Sequence, residues 1–172
     1  AGEGIEKEVI EQSIIYVWLG LLLLLDGLIV AAQNAFLNSH PSTLKDLAEE
    51  GQRGTALAVR IARDSTKLIV SLSTGRTTVR LLIFGVMVVM IGRSVMLDGP
   101  VLTGWVLLFG TGFVLSLVEI IVEGLVLRNP EKNTRWLAPL AFLVQAIFLP
   151  VGQLGFRLTA AIAGTEKTHT YS

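Results

Sequence analysis

The sequence has 172 residues and a formal net charge of zero at pH 7, with 52% hydrophobic and only 16% charged residues. Its mean hydropathy is +0.65, whereas a typical soluble domain carries about 25% charged residues. This composition excludes an ordinary soluble domain and predicts one all-α integral membrane domain over residues 1–172. The chain has no basic patch for nucleic acid. It also lacks cysteine, which excludes disulfides and thiolate chemistry.

Three apolar segments are long enough to cross a bilayer as helices, and we predict these spans at about 14–37, 68–91 and 102–127. The residues before the first span, 1–12, are acidic and lack the basic n-region of a signal peptide. We therefore predict an extracytoplasmic N-terminal segment followed by a true span. The turn signal Asp98-Gly99-Pro100 separates the second span from the third.

The polar region between the first two spans, about 42–66, contains two short stretches with helical spacing of apolar residues. Gly51 and Gly54 interrupt it, and glycine commonly ends a helix. The pattern predicts a helical hairpin outside the membrane.

A last apolar stretch, about 136–163, contains Pro139 and Pro150 together with scattered polar residues. Its length fits a fourth span, but its prolines and polar residues favour a broken helix lying along the inner interface. The residues alone leave both interpretations open. We expect residues 164–172 to form a cytoplasmic tail.

The basic residues predict the orientation. Five Lys or Arg residues lie between the first two predicted spans and five follow the third, whereas the N-terminal segment and the loop after the second span have one each. Because basic residues accumulate on the cytoplasmic side, ten against two places the N-terminus outside. The hairpin and the C-terminus would then be cytoplasmic, in a bacterial-type inner membrane or a plasma membrane.

Ionisable residues occur inside the predicted spans. Arg76 and Arg80 lie in the second span, Glu119 and Glu123 in the third, and Asp26 in the first. A charge at the centre of a span costs roughly 2.5–3.5 kcal/mol on insertion scales, so each is a candidate functional residue. Each pair is separated by four residues and therefore shares one helix face.

Other polar residues give weaker signals. Gln33 and Asn34 favour hydrogen bonds between helices over a role in lining a pathway. We find no nucleophile–base pair, no glycine-rich phosphate loop and no cluster with metal-ligand spacing, so we expect neither an enzyme nor a bound metal or cofactor.

Several short motifs, in order along the chain, resemble the transmembrane domain of the cyclin M / CorC (CNNM/CorC) family of magnesium and divalent-cation transporters. The resemblance extends over about residues 14–160. Asp26-Gly27 corresponds to the family's Asn-Gly, and Leu47-Ala48-Glu49-Glu50-Gly51 is similar to its hairpin. Gly75 matches the glycine of its Ile-Gly-Asn stretch, and Glu119 matches the glutamate of its Gly-Glu-x-x-Pro-Lys motif. The segment that follows this motif in the family is similar to Leu127-Arg128-Asn129-Pro130-Glu131 and then Leu137-Ala138-Pro139.

The resemblance implies a homodimer-forming domain of three spans with a cytoplasmic hairpin and a juxtamembrane helix that belts the inner leaflet. It therefore favours the belt over the fourth span for residues 136–163. It also implies a dehydrated cation held by serine, asparagine and glutamate oxygens, which are suitable donors for magnesium. Family members commonly continue into nucleotide-binding cytoplasmic domains. Such a regulatory part is either absent here or lies outside this sequence, which ends at Ser172.

The sequence departs from the family at the positions that the resemblance assigns to the cation. Arg76 and Arg80 replace two asparagines, and arginine has no lone pair for a metal. Only Glu119 is kept among the expected oxygen donors. In the first span, Val30, Ala31 and Ala32 replace small hydroxyl residues, and Gln33 replaces a glutamate. In the third span, Val118 replaces a glycine, Val122 a proline and Glu123 a lysine.

We therefore interpret Ala32, Gln33, Arg76, Arg80, Glu119 and Glu123 as positions of a vestigial cation site. We predict that the two arginines pair with the two glutamates, and that Asp26 and Asn34 belong to the same intramembrane polar network. The alternative for the arginines is snorkelling to the interface or contact with a partner subunit. For Asp26 it is a hydrogen-bonded buried group outside the network.

Two functions remain. The favoured one is a non-transporting structural or accessory subunit of a membrane protein complex, embedded in the lipid bilayer with other membrane subunits or with a second copy as partners. The alternative is a divalent-cation transporter or efflux protein that binds magnesium at a rearranged site around Asp26, Gln33, Asn34 and Glu119.

Overall fold

The computed structural model describes residues 2–52, 54–96 and 101–166. Within these ranges the chain forms α-helices and no strands. Six helices follow one another with short connections, and their bounds are α1 Gly2–Asn38, α2 Pro41–Glu49, α3 Thr55–Ala62, α4 Ser65–Met96, α5 Val101–Val126 and α6 Pro130–Glu166. The prediction of an all-α membrane domain is thereby confirmed.

Four of these helices are long and apolar enough to cross a membrane. The qualifying segments are Ser13–Asn38, Ser65–Gly92, Gly104–Val126 and Pro130–Val151. The first three agree with the predicted spans to within three residues at each end. The fourth includes residues 136–151, the first part of the stretch whose prolines favour an interfacial helix. By length and composition, α6 therefore qualifies as a span as well.

Two helices begin earlier than the sequence predicts. α1 begins at Gly2, so residues 2–12 are helical and continuous with the first candidate span, which starts at Ser13. α6 begins at Pro130, six residues earlier than expected, and remains helical through Pro139 and Pro150. Proline is well placed at the first position of a helix because the missing N–H has no intrahelical partner there. The predicted Asp98-Gly99-Pro100 turn and most of the predicted tail, 164–172, lie outside the described residues.

α2 and α3 form the predicted hairpin, and glycine is required at its turn. Gly51 and Gly54 have φ angles of 72° and 83°, in the left-handed region that other residues disfavour. At Gly54, an added Cβ would also lie 3.0 Å from the Arg135 carbonyl oxygen at the start of α6. The hairpin is thus anchored directly against α6.

The buried core lies where α1, α4 and α6 meet, with α3 covering one end. Small residues from α1 and α6 interleave with branched residues from α4. The core residues are Ile29, Ala32, Ala58, Ile61, Leu68, Leu72, Val79, Ile83, Leu115, Ala138, Ala141 and Val144. α5 contributes little to this core and is the least buried of the four long helices. It contacts α1 and α4 along one face.

Gly75 lies at a close approach of α4 to α6. A Cβ at this position would lie 2.8 Å from Val144 Cγ1 and 3.2 Å from the Phe148 ring. Real Cβ atoms do not approach another carbon this closely, so the two helices pack only because residue 75 has no side chain. On the same helix, Gly85 has no atom within 4 Å of such a Cβ.

We predict that Gly75→Ala lowers the stability of the domain by about 1–3 kcal/mol, because the methyl group overpacks the contact with the buried Val144. Gly85→Ala is the matched control, and it should be neutral or stabilising because alanine favours the helix. Thermal unfolding of both variants in mild detergent tests this prediction. Equal melting temperatures for the two variants would contradict it.

Candidate functional site: an ion-pair cluster between three helices

The segment Thr74–Arg80 lies inside α4, and its threonines are satisfied within the helix. Each hydroxyl donates to the carbonyl four residues earlier: Thr74 to Val70 at 2.8 Å, Thr77 to Ser73 at 2.9 Å and Thr78 to Thr74 at 2.9 Å. Such back-bonding is common for threonine within helices. The hydrogen bonds of the two arginines go instead to carboxylates on other helices.

Arg80 bridges two helices. Its Nε donates to Asp26 Oδ1 at 3.2 Å and its Nη2 lies 3.4 Å from Asp26 Oδ2, a side-by-side arrangement with the carboxylate of α1. The same Nη2 donates to Glu119 Oε2 on α5 at 2.9 Å. Asp26 is almost fully buried, with 1% of its side chain exposed. Arg80 is its ion-pair partner in the described part of the chain.

Arg76 completes the cluster from one turn earlier in α4. Its Nη2 donates to Glu119 Oε1, so each oxygen of the Glu119 carboxylate accepts from a different arginine. The charges thus alternate in the order Arg76, Glu119, Arg80, Asp26, and their formal sum is zero. Arg76 Nε is buried and has no hydrogen-bond partner within the described residues.

The cluster lies well inside the membrane segments. Asp26 and Arg80 each lie near the middle of their spans, Ser13–Asn38 and Ser65–Gly92, and Glu119 lies about two turns from the end of α5. Guanidinium–carboxylate hydrogen bonds are strong at such depth, since lipid offers no competing partner. Both arginines contact carboxylates on neighbouring helices, which is the predicted internal pairing and not snorkelling.

The profile of one protein family, described as the cyclin M transmembrane N-terminal domain, matches residues 17–172. This match covers nearly the whole chain, including all three helices of the cluster. The chain belongs to the cyclin M family. Searches among curated proteins and among solved structures found no match.

The cyclin M domain does not place Glu123 in the cluster as predicted. Glu123 lies one turn after Glu119 on α5, but its side chain is exposed and makes no ion pair within the described residues. α5 contacts α1 and α4 along a single face, and Glu119, with 33% of its side chain exposed, lies at the edge of that face. Four further residues add about 40° of rotation and about 6 Å along the axis, which is enough to carry Glu123 past this edge. Asp26, predicted only as a third partner, is the buried partner instead.

The remaining predicted positions lie beyond the cluster on α1. Ala32 is fully buried in the core. Gln33 is partly buried, and its Oε1 is buried without a hydrogen-bond partner among the described residues. The Asn34 side chain makes no described hydrogen bond, although its carbonyl accepts from the Asn38 side chain at 2.8 Å. Asn34 is eight residues from Asp26, about 12 Å along the helix, and does not join the ion pairs.

One polar contact of the cyclin M domain was not predicted from the sequence. Arg135 Nη1, in the first turns of α6, donates to Gln52 Oε1 in the hairpin turn. The two residues are 83 positions apart. In the sequence, Arg135 is one of the five basic residues after the third predicted span, and no spacing rule connects it with Gln52. The contact holds the hairpin against α6.

The described residues offer few side-chain donors for a metal ion. The described residues contain no group of three or more His, Asp or Glu side chains placed to hold a metal ion. The two carboxylates of the cluster, Asp26 and Glu119, are both hydrogen-bonded to Arg80. Gln33 Oε1 has no hydrogen-bond partner among the described residues, but Gln33 is seven residues from Asp26, about 10 Å along α1.

We predict that Arg80→Met destabilises the domain by about 3–5 kcal/mol, because the substitution leaves the buried Asp26 carboxylate without its partner. A further Asp26→Leu substitution should restore most of the loss, since an apolar pair needs no counter-charge. Thermal unfolding in detergent measures both effects. Arg63→Met, the same change at an exposed hairpin position, is the control and should shift the melting temperature little. A loss as small in Arg80→Met as in the control would contradict the prediction.

Proposed function

We propose that this cyclin M domain is a non-transporting structural or accessory subunit of a membrane protein complex, in which an arginine–carboxylate cluster takes the place of a bound cation. The observation that carries the proposal is the pairing of Arg76 and Arg80 with Glu119 and Asp26 between α1, α4 and α5. The family resemblance assigns the two arginine positions to cation ligands. The guanidinium groups therefore replace oxygen donors with fixed positive charges.

The electrostatics of the cluster oppose cation binding. At a separation of 4 Å and an effective dielectric constant of 20, a divalent ion and a unit charge interact by about 8 kcal/mol. Each guanidinium would repel the ion about as strongly as each carboxylate attracts it, so the net attraction is lost. The cost of dehydrating the ion remains, and it is high for magnesium.

The outer face of α5 supports the role as a subunit. Exposed residues recur along it at alternating intervals of four and three, which is the spacing of helices that pack at a shallow angle. They are Leu102, Val106, Phe109, Phe113, Ser116, Ile120 and Glu123. Glu123 gives this stripe a carboxylate without an ion pair in the described chain. A partner helix with a basic residue at that level would satisfy it.

The alternative is a divalent-cation transporter with a rearranged site around Asp26, Gln33, Asn34 and Glu119. The unpartnered Gln33 Oε1 favours it, because a buried acceptor is suitable for a cation or a water molecule. Asp26 and Glu119 disfavour it, since both would have to leave Arg80 before they could bind an ion.

A liposome assay separates the two functions. We expect no magnesium uptake above that of protein-free vesicles. Uptake that is abolished by Glu119→Gln but retained by Glu123→Gln would contradict the accessory role, because Glu119 lies in the cluster and Glu123 lies outside it. Size-exclusion chromatography must show that both variants remain folded. Purification from native membranes in mild detergent should recover other membrane subunits with the wild-type chain.

We further propose that α6 belts the inner interface, with the N-terminus of the chain outside and its C-terminus in the cytoplasm. The course of α6 along α3 supports this arrangement. Arg135 contacts the hairpin turn that precedes α3, and Gln145 lies beside Arg60 and Asp64 at the other end of α3. A helix that follows the extramembrane hairpin in this way remains near one membrane face.

Single cysteines in the cysteine-free chain test this topology. If α6 is a belt, Lys132→Cys and Gln153→Cys should both react with a membrane-impermeant maleimide from the cytoplasmic side alone. Lys45→Cys in the hairpin provides the cytoplasmic reference. Labelling of position 153 from the opposite side would show that α6 crosses the membrane.

A further inference from the structure

A groove between α1, α5 and α6 lies apart from the ion-pair cluster. Its volume is about 820 Å³, and it is open to the surface. Leu24 and Leu28 of α1 and Val118 and Leu125 of α5 contribute to its apolar walls. A cavity of this size is in the range that binds small organic ligands, roughly 300–1,000 Å³.

The depth of the groove comes from small residues. Gly27 and Ala31 are one turn apart on α1, and both line the groove. A Cβ on Gly27 would lie 3.4 Å from Val118 Cγ1, an ordinary van der Waals distance, so α1 and α5 are close neighbours here. The groove is therefore an apolar channel between closely spaced helices.

One end of the groove is polar. Lys132, Asn133 and Trp136 line it from the first turns of α6. Asn133 Nδ2 donates to the Val126 carbonyl at 3.2 Å, which closes the end of α5. Lys132 is exposed and makes no ion pair within the described residues, and Trp136 is 81% exposed. An uncompensated cation thus lies at the end of an apolar channel.

This polar end is at a membrane boundary. The α5 span ends at Val126, and Lys132 and Trp136 lie just beyond it, in the first two turns of α6. Tryptophan prefers the headgroup level of a bilayer, and lysine extends its charge toward the phosphates. The position holds whether α6 crosses the membrane or lies along its surface, because both residues are at its start.

We propose that this groove binds an anionic phospholipid, with an acyl chain in the apolar channel and the phosphate group at Lys132. Charge complementarity decides the occupant: an anionic lipid matches one cationic end and one apolar channel. Basic pockets between transmembrane helices bind anionic headgroups in this way. A helix from another subunit would fill the channel but would need a carboxylate at the level of Lys132. The proposal is independent of whether the domain transports ions.

Quenching of Trp136 by brominated lipid tests the proposal. The chain has three tryptophans, and Trp18→Phe with Trp105→Phe leaves Trp136 as the sole tryptophan. This variant is reconstituted in phosphatidylcholine nanodiscs with increasing mole fractions of either brominated-acyl phosphatidylglycerol or brominated-acyl phosphatidylcholine, and the mole fractions that give half-maximal quenching are compared. We expect the anionic lipid to quench Trp136 at an approximately fivefold lower mole fraction, the effect of about one favourable lysine contact.

Two matched variants locate the effect. Lys132→Gln should abolish the preference for the anionic lipid. Lys45→Gln removes the same charge from an exposed position on α2 that does not line the groove, and it should leave the preference unchanged. Val122→Phe narrows the channel and should weaken quenching by both lipids.

Three outcomes would overturn the proposal. Equal quenching by the two lipids would show only nonspecific annular lipid. A preference that survives Lys132→Gln would place the headgroup elsewhere. Weak quenching by both lipids in the parent variant would show that polypeptide covers the groove. Circular dichroism and size-exclusion chromatography confirm that each variant is folded, and the Lys132 comparison decides the result if Val122→Phe does not fold.

Discussion

The buried carboxylate of Asp26 is the constraint on which the arrangement of the membrane helices depends. A charged aspartate in the middle of a span requires a counter-charge, and Arg80 supplies it from α4 at 3.2 Å. Arg80 in turn contacts Glu119 of α5. The electrostatic requirement of one residue therefore fixes the relative rotation of three helices. Apolar packing alone would leave this rotation less defined, because lipid solvates leucine as well as another helix does.

The same cluster compensates for the weak apolar packing of α5. This helix is mostly exposed. Residues that face lipid do not fix its position, because lipid contacts are equivalent at any rotation of the helix. Glu119 receives hydrogen bonds from two arginines of α4, which attach α5 at a defined depth. The opposite face of α5 remains open. A helix held by polar contacts on one side can accept a partner on the other without rearrangement of the core.

α6 connects the membrane helices with the hairpin. Gly75 allows α6 to approach α4 closely, and Gly54 allows the hairpin turn to approach Arg135. Both contacts rest on the absence of a side chain. The glycines thus bring α4, α6 and the hairpin close together, whereas the arginines join α4 to carboxylates of α1 and α5.

The sequence predicted much of this fold because its signals are local. The apolar segments around α1, α4 and α5, and the glycines at 51 and 54, identify helices and breaks without knowledge of their neighbours. The ends were less predictable. The acidic residues 2–12 remain helical because polar residues do not by themselves stop a helix, and α6 remains helical through two internal prolines. Hydropathy also cannot distinguish a span from an interfacial helix in 136–163.

The candidate site divides in the same way. By itself the sequence determined that Arg76, Arg80, Asp26 and Glu119 lie inside apolar helices, where charges must be compensated. Only the tertiary structure decided the partners. In it, Asp26 pairs with Arg80, whereas Glu123 is exposed and lies outside the cluster, although both carboxylates lie in predicted spans. The physical reason is that helical spacing defines a face only within one helix, whereas ion pairs depend on how separate helices are rotated and how deeply each is inserted.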